Sequence, residues 1–208
     1  ERFFGISADP ELSGWVNSCA LLGCFVGAMV GGPLSDRIGR RKPLLLAAQL
    51  FAATSVGNAL ADSFTAFVTW RILGGVAIGL ASGLSPLYIA EIAPARIRGR
   101  LVAINQLTIV VGVLGAQLVN WALVSDLPAN ASDEFIAGSW FGQTAWRWMF
   151  AVLLIPSILF FVGMLMAPES PRWLAKNSRF DEAKALLARI GGQQYAETAI
   201  AEIRDAAK

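Results

Sequence analysis

Gly31-Gly32-Pro33-Leu34-Ser35-Asp36-Arg37-Ile38-Gly39-Arg40-Arg41-Lys42 is the stretch that decides how this chain is read. A long apolar run leads into it and another leaves it. Between them sit four cations and one carboxylate, in a loop far too short to be a domain. A tight Gly/Pro turn rich in Arg and Lys, joining two membrane-length segments, belongs on the cytoplasmic face by the positive-inside rule. The rest of the chain is oriented from this loop.

Composition points the same way. Of 208 residues 55% are hydrophobic and only 15% are charged, with a mean hydropathy of +0.55. Soluble domains carry about 25% charge, and here the deficit is concentrated in stretches, as in membrane spans. A net charge of +2 is too near neutral to imply a nucleic-acid partner. Cys19 and Cys24 fall inside one apolar run at a spacing that fits neither a metal site nor a disulfide framework. The chain has no histidine, which removes the commonest general base and zinc ligand.

Five spans are expected, at 13–34, 44–61, 65–93, 101–125 and 148–167, with 1–12 as an external loop. Residues 15–34 carry no charge and suffice to cross a bilayer at about 1.5 Å per residue. Gly23, Gly27 and Gly31 make one stripe on the first span, and Gly75, Gly79 and Gly83 another on the third. Such stripes let a neighbouring helix approach closely. Gln49 and Asn58 fall on opposite faces of the second span. Pro86 is expected to bend the third and Pro156 to kink the fifth. Residues 126–147 form a polar loop, with a glycosylation-type triplet at Asn130-Ala131-Ser132. After 168 the pattern changes: Leu174, Phe180, Ala183, Leu187 and Ile190 recur near helical spacing among charges, and Gly191-Gly192 breaks the run. Amphipathic helices at the membrane surface are expected there.

The loop at 91–100 adds Arg96, Arg98 and Arg100, whereas 125–147 holds Arg147 against Asp126, Asp133 and Glu134. Alternation then puts every basic loop on one side, with residue 1 outside and residue 208 in the cytoplasm. The chain lacks an initial Met and has no signal-peptide layout, so it reads as cut from a longer protein.

Four motifs carry a family resemblance. They are the loop quoted above; Pro86-Leu87-Tyr88-Ile89-Ala90-Glu91 continuing to Arg96-Ile97-Arg98-Gly99-Arg100; Trp146-Arg147-Trp148-Met149; and Pro168-Glu169-Ser170-Pro171-Arg172-Trp173-Leu174. In this order and spacing they closely resemble the sugar porter branch of the major facilitator superfamily, over essentially the whole chain. The resemblance implies an all-α integral membrane fold: the N-terminal six-helix half lacking its first span, with cytoplasmic linker helices at 168–208. It also implies a C-terminal half of the same protein as partner, together with membrane lipids and the bacterial inner or another plasma membrane.

Asp36, Arg40, Glu91, Arg98, Glu169 and Arg172 fall at the inner ends of different helices. Carboxylate–guanidinium pairs there can be bidentate and directional, and in alternating access they would hold in one state and break in the other. The plainer reading is that they are solvated topology signals. Gln106, Gln117 and Asn120 share one face of the fourth span, within about 60° on a helical wheel. Amides both donate and accept, which suits an uncharged polyhydroxy ligand. Gln106 matches the family's sugar-contacting glutamine, whereas Val113 stands where some members have a second one. For Gln117 and Asn120 the plainer reading is helix–helix hydrogen bonding. Arg71 precedes the uncharged core of the third span and reads either as a residue snorkelling to the outer interface or as a proton-coupling group. In proton-coupled relatives the matching arginine pairs with an acidic residue of the first span.

The expected function is movement of a monosaccharide by alternating access, coupled to protons, with uniport or non-transporting sugar sensing as the alternatives. No enzymatic constellation, metal site or cofactor is expected.

Overall fold

A computed structural model describes residues 10–124 and 140–206. Helix α1 spans Pro10–Ile38, α2 Arg41–Ala59, α3 Phe64–Ile92 and α4 Ala95–Val124. A π-helical turn at Phe141–Ala145 leads into α5 (Trp146–Ala151) and α6 (Leu154–Met166). Three shorter helices follow: α7 (Pro171–Lys176), α8 (Phe180–Gly191) and α9 (Gln193–Ala206). Among the described residues, four segments are long and apolar enough to cross a membrane: Gly14–Ile38, Phe64–Ile92, Ala95–Leu123 and Gln143–Met166. Helix α2, at 19 residues, reaches about 28 Å and carries Thr54, Ser55 and Asn58 buried among its neighbours. The sequon at 130–132 and the acidic residues Asp126, Asp133 and Glu134 lie outside the described residues.

The closest packing joins α1 to α3. A Cβ on Gly23 would lie 2.0 Å from the Ile72 carbonyl oxygen, and one on Gly27 2.2 Å from that of Val76. Across the crossing, a Cβ on Gly75 would lie 2.0 Å from the Ala20 carbonyl oxygen and one on Gly79 2.2 Å from that of Cys24. These four glycines let two backbones touch, which is how membrane helices gain dispersion contact where lipid removes the hydrophobic drive. The two expected stripes are used unequally. A Cβ on Gly31 would make ordinary contact with Leu80, at 3.4 Å from its side chain, and with Leu84, and one on Gly83 would have nothing within 4 Å.

Two local expectations are corrected. The quoted stretch is mostly helix, since α1 continues through Gly32 and Pro33 to Ile38. Pro33 removes one backbone donor, and Ser35 Oγ donates to the Gly32 carbonyl at 2.9 Å. The turn falls at Gly39, whose φ of +94° lies in the left-handed region that favours glycine. The fifth span starts earlier than residue 148 and breaks at Val152–Leu153. Pro156 cannot donate to the Val152 carbonyl, and Ile155 N bonds it instead at 3.2 Å. Helix α3, by contrast, runs through Pro86 without a break.

At one end of the bundle Val16, Ala61 and Phe67 pack with Trp146 and Phe150. At the other end Leu44, Leu84 and Met164 pack with Tyr88 and Phe160. Beyond the last span, Leu174, Ala175, Ala183, Leu187, Ala196 and Ile200 form a separate small core, so α7, α8 and α9 bury their apolar faces against each other. The glycine break stands as expected: Gly192 ends α8 with φ +87°. Helix α4 leaves Ile104, Leu107, Val110, Val111 and Leu114 exposed, and it is long and apolar enough to cross a membrane.

Candidate functional site

The charges at the turn-bearing end of the bundle converge on two carboxylates. Arg40 Nε donates to Glu91 Oε1 and Oε2 at 3.2 and 3.1 Å, and its Nη2 donates to Oε1 at 3.0 Å. Its Nη1 donates to Asp36 Oδ1 at 2.7 Å and to the Ser35 carbonyl at 2.9 Å. The Arg40 and Glu91 side chains are only 11% and 8% exposed. Burial opposes the charge on Arg40, but its hydrogen bonds to Glu91 and Asp36 more than offset that, holding its pKa above the ordinary arginine value. Glu169 takes a different part. Its Oε1 accepts from the backbone N–H of Arg40 at 2.8 Å, Arg41 at 3.2 Å and Ser170 at 2.9 Å, thereby capping the start of α2.

Asp36, Arg40, Glu91 and Glu169 are therefore brought together. Arg98 and Arg172 line a small cavity with Glu91 but form no ion pair with it among the described residues: Arg98 donates to the Ala93 carbonyl at 3.5 Å, and Arg172 is exposed. The reason is saturation. Glu91 already accepts three bonds from Arg40 and one from the buried hydroxyl of Ser170, and a carboxylate has about four acceptor sites. Ser170 was the overlooked member. It is fully buried, donates to Glu91 and caps α7 by accepting from Trp173 N at 3.3 Å. Its signal was Ser-Pro before Arg-Trp-Leu, a serine N-cap followed by proline at the first helical position. Arg41 closes the cluster by donating to the Met164 and Leu165 carbonyls at 3.2 and 2.6 Å, on the last turn of α6.

Arg71 lies two turns inside α3 with its side chain directed across to α1. Nη2 donates to the Val16 carbonyl at 3.4 Å, the guanidinium lies 5.9 Å from the Phe67 ring centroid, and Nε is buried without a partner. Arg71 lines a cavity of about 450 Å³ with Phe51, Thr54, Ser55, Asn58, Phe150 and Ser157 among others. The α4 amides are elsewhere. Gln106 and Gln117 are exposed and Asn120 half-buried, and none of them lines this chamber. The two expected sets, Arg71 and the α4 amides, thus occupy different surfaces of the described bundle.

This architecture is that of a secondary transporter half, and the comparisons agree. Residues 6–208 match the family model described as "Sugar (and other) transporter", and the chain belongs to this family of transporters. It is 42% identical over 184 residues to a "Glucose transport protein" of Synechocystis sp., covering 88% of this chain and 38% of that protein. It is 40% identical over 216 aligned positions to the D-xylose-proton symporter of Escherichia coli, covering 95% of this chain and 42% of that protein. Among solved structures, the E. coli xylose transporter XylE in a partially occluded inward-open conformation matches with TM-score 0.86 and 38% identity, over 97% of this chain and 50% of that one. The chain therefore spans about two fifths of the length of these curated relatives. It is an integral membrane protein with the helical fold of the N-terminal half of this family.

Proposed function

We propose that the whole protein moves a monosaccharide across the membrane by alternating access, coupled to inward proton flow. The observation that carries this is Arg71. It is a cation inside the bundle with no carboxylate partner among the described residues, in a chain similar to proteins described as xylose-, arabinose- and galactose-proton symporters. An intramembrane guanidinium is expensive, by about 2.5–3.5 kcal/mol on insertion scales. A carboxylate on a span preceding this chain would offset that cost, and protonation of it would loosen the pair and free the helices to rock. The test is uptake by the full-length protein in proteoliposomes. Accumulation driven by an imposed inward proton gradient and abolished by a protonophore supports the reading. Uptake that equilibrates and ignores the gradient leaves a uniporter, and sugar binding without any uptake leaves a sensor.

Gln106, Gln117 and Asn120 are the proposed substrate contacts, with Gln106 foremost. It stands about 9 Å along α4 from Arg100, deep enough for a midplane site. Replacing Gln106 by Ala should weaken sugar binding about tenfold to a hundredfold, the cost of leaving roughly 1–3 kcal/mol of hydrogen bonding unmade. Binding within twofold of wild type, measured calorimetrically on the full-length protein, excludes direct contact.

For orientation we propose that the end bearing Arg40 and Glu91, and with it α7 to α9, faces the cytoplasm. Asp36, Arg40, Glu91 and Glu169 would then be gating charges there, with Arg98 and Arg172 engaging groups beyond this chain. In a variant with Cys19 and Cys24 replaced, a cysteine at Ser132 should react with an impermeant thiol reagent on intact cells. One at the exposed Asn177 should react only after permeabilisation. Reversed labelling inverts the topology.

A further inference from the structure

We propose that Asn58 is a positioning residue for Arg71, joined to it through an ordered water in the chamber between α1, α2, α3 and the broken fifth span. The consequence for coupling rests on the proton-linked reading above; the geometry does not. Asn58 is 5% exposed, and its Nδ2 donates to the Thr54 carbonyl at 2.8 Å. That bond fixes the amide, because the flipped amide would set two oxygens against each other. Oδ1 is then left buried with no partner, and so is Arg71 Nε. One is an acceptor and the other a donor, and both residues line the same cavity of about 450 Å³.

The packing of α2 on α3 sets them level. A Cβ on Gly74 would lie 3.5 Å from Thr54 Oγ1, and one on Gly57 would strike the Trp70 indole at 2.3 Å. Asn58 follows Gly57 and stands one turn from Thr54, while Arg71 follows Trp70 and stands one turn from Gly74. A buried carbonyl without a partner is costly, and the chamber is roomy enough for water, which takes about 30 Å³ per molecule. A water accepting from Nε and donating to Oδ1 satisfies both groups. Its second proton has an acceptor in the hydroxyl of Ser55, whose own proton goes to the Phe150 carbonyl at the span break.

Three restraints then hold the guanidinium: the Val16 carbonyl on Nη2, the Phe67 ring near its face, and Asn58 on Nε. The remaining donors are free for a proton-linked partner. On α1 the nearby titratable group is the buried Cys19 thiol, which donates to the same Val16 carbonyl at 3.2 Å. On α2 the facing groups are the uncharged Thr54, Ser55 and Asn58, on α3 Gly74 and Gly75, and on the fifth span Ser157. Arg147 on α5 is paired with Asp62 at 2.8 Å, at the end of the bundle where α3 begins. Arg71 is therefore the one charged side chain on the chamber wall among the described residues.

The experiment compares Asn58→Ala with Asn58→Ser in the full-length protein. They are near in size, but the serine hydroxyl can still donate to Thr54 and accept from the water. Asn58→Ala should move the pH midpoint of sugar uptake by about half a unit, the size of one modest hydrogen bond. Sugar affinity should stay within twofold, and Asn58→Ser should stay near wild type. An unmoved midpoint in Asn58→Ala, or equal shifts in both variants, overturns the positioning role. Wild-type uptake that ignores pH defeats the proton-linked reading alone. The chamber is then judged by a cysteine at Ser157, with Cys19 and Cys24 replaced, and a small thiol reagent that needs water. Adding Asn58→Ala should cut its reactivity at least about fivefold relative to Asn58→Ser, and equal reactivity overturns the water bridge.

Discussion

Gly75→Val is expected to prevent α1 from docking on α3. The Cβ alone would lie 2.0 Å from the Ala20 carbonyl oxygen and 3.0 Å from the Cys24 backbone nitrogen. Neither obstacle is a side chain that can swing away, and both belong to a continuous helix. The helices would have to separate along the whole crossing, carrying Gly23, Gly27 and Gly79 out of contact. Overpacking in a well-filled interior costs about 1–3 kcal/mol even where side chains can adjust, and here the backbone itself must yield. The full-length protein should lose its monodisperse size-exclusion peak in detergent, or its melting temperature should fall by about 5 °C or more. Gly83→Ala is the control, because nothing lies within 4 Å of its Cβ position, and its melting temperature should not move. Equal stability of the two variants would remove the crossing as the organising contact.

That contrast shows what a sequence carries and what it withholds. Repeats of glycine every fourth residue are visible as a stripe because helix geometry alone sets them on one face. Which members of the stripe touch depends on where the helices diverge: at Gly31 the approach has loosened to ordinary contact with Leu80 and Leu84, and Gly83 has no neighbour within 4 Å. The turn was similarly half legible. Pro33 looks like a helix end, but a membrane helix tolerates proline, and α1 continues through it to Ile38. The true stop is Gly39, which must have positive φ and must also lack a side chain, since a Cβ there would meet Glu169 Oε2 at 2.3 Å.

The charged residues at the inner helix ends were readable as a group, but not their pairing. Counting lone pairs on Glu91 and Glu169 needs Ser170 Oγ and the N–H groups of Arg40 and Arg41, which are backbone and capping details. For the same reason Arg98 and Arg172 looked equivalent to Arg40 in sequence and are not equivalent in space. Asn58 carried the weakest signal of all. In sequence it is a polar residue opposite Gln49, and only the packing of α2 on α3 sets it beside Arg71.

Arg40→Ala is expected to cost transport more than any other single charge removal in this chain. Arg40 ties two helices through one side chain: Ser35 and Asp36 on α1, and Glu91 on α3 next to Ser170. Deleting it leaves Glu91, 8% exposed, with the Ser170 hydroxyl as its remaining partner among those bonds. Breaking a buried pair from one side costs about 3–5 kcal/mol, which is about a hundredfold or more in a conformational equilibrium. The pair's contribution does not vary across physiological pH from the arginine side. Its folded pKa is raised, so its stabilisation is fully present below the unfolded arginine value and is lost only as pH rises through the folded one. The arginine itself therefore adds no pH dependence to the loss between about pH 5.5 and pH 8. Arg40→Lys should fall between the two, because an ammonium keeps the charge but cannot reach Glu91, Asp36 and the Ser35 carbonyl in one planar fork. Uptake in proteoliposomes should drop at least about a hundredfold in Arg40→Ala, while sugar binding in detergent stays within a few fold, since the proposed sugar contacts lie on α4. An alanine variant transporting at half the wild-type rate reduces this cluster to a marker of topology. A loss of binding in parallel with transport places it instead among the residues that hold the bundle together.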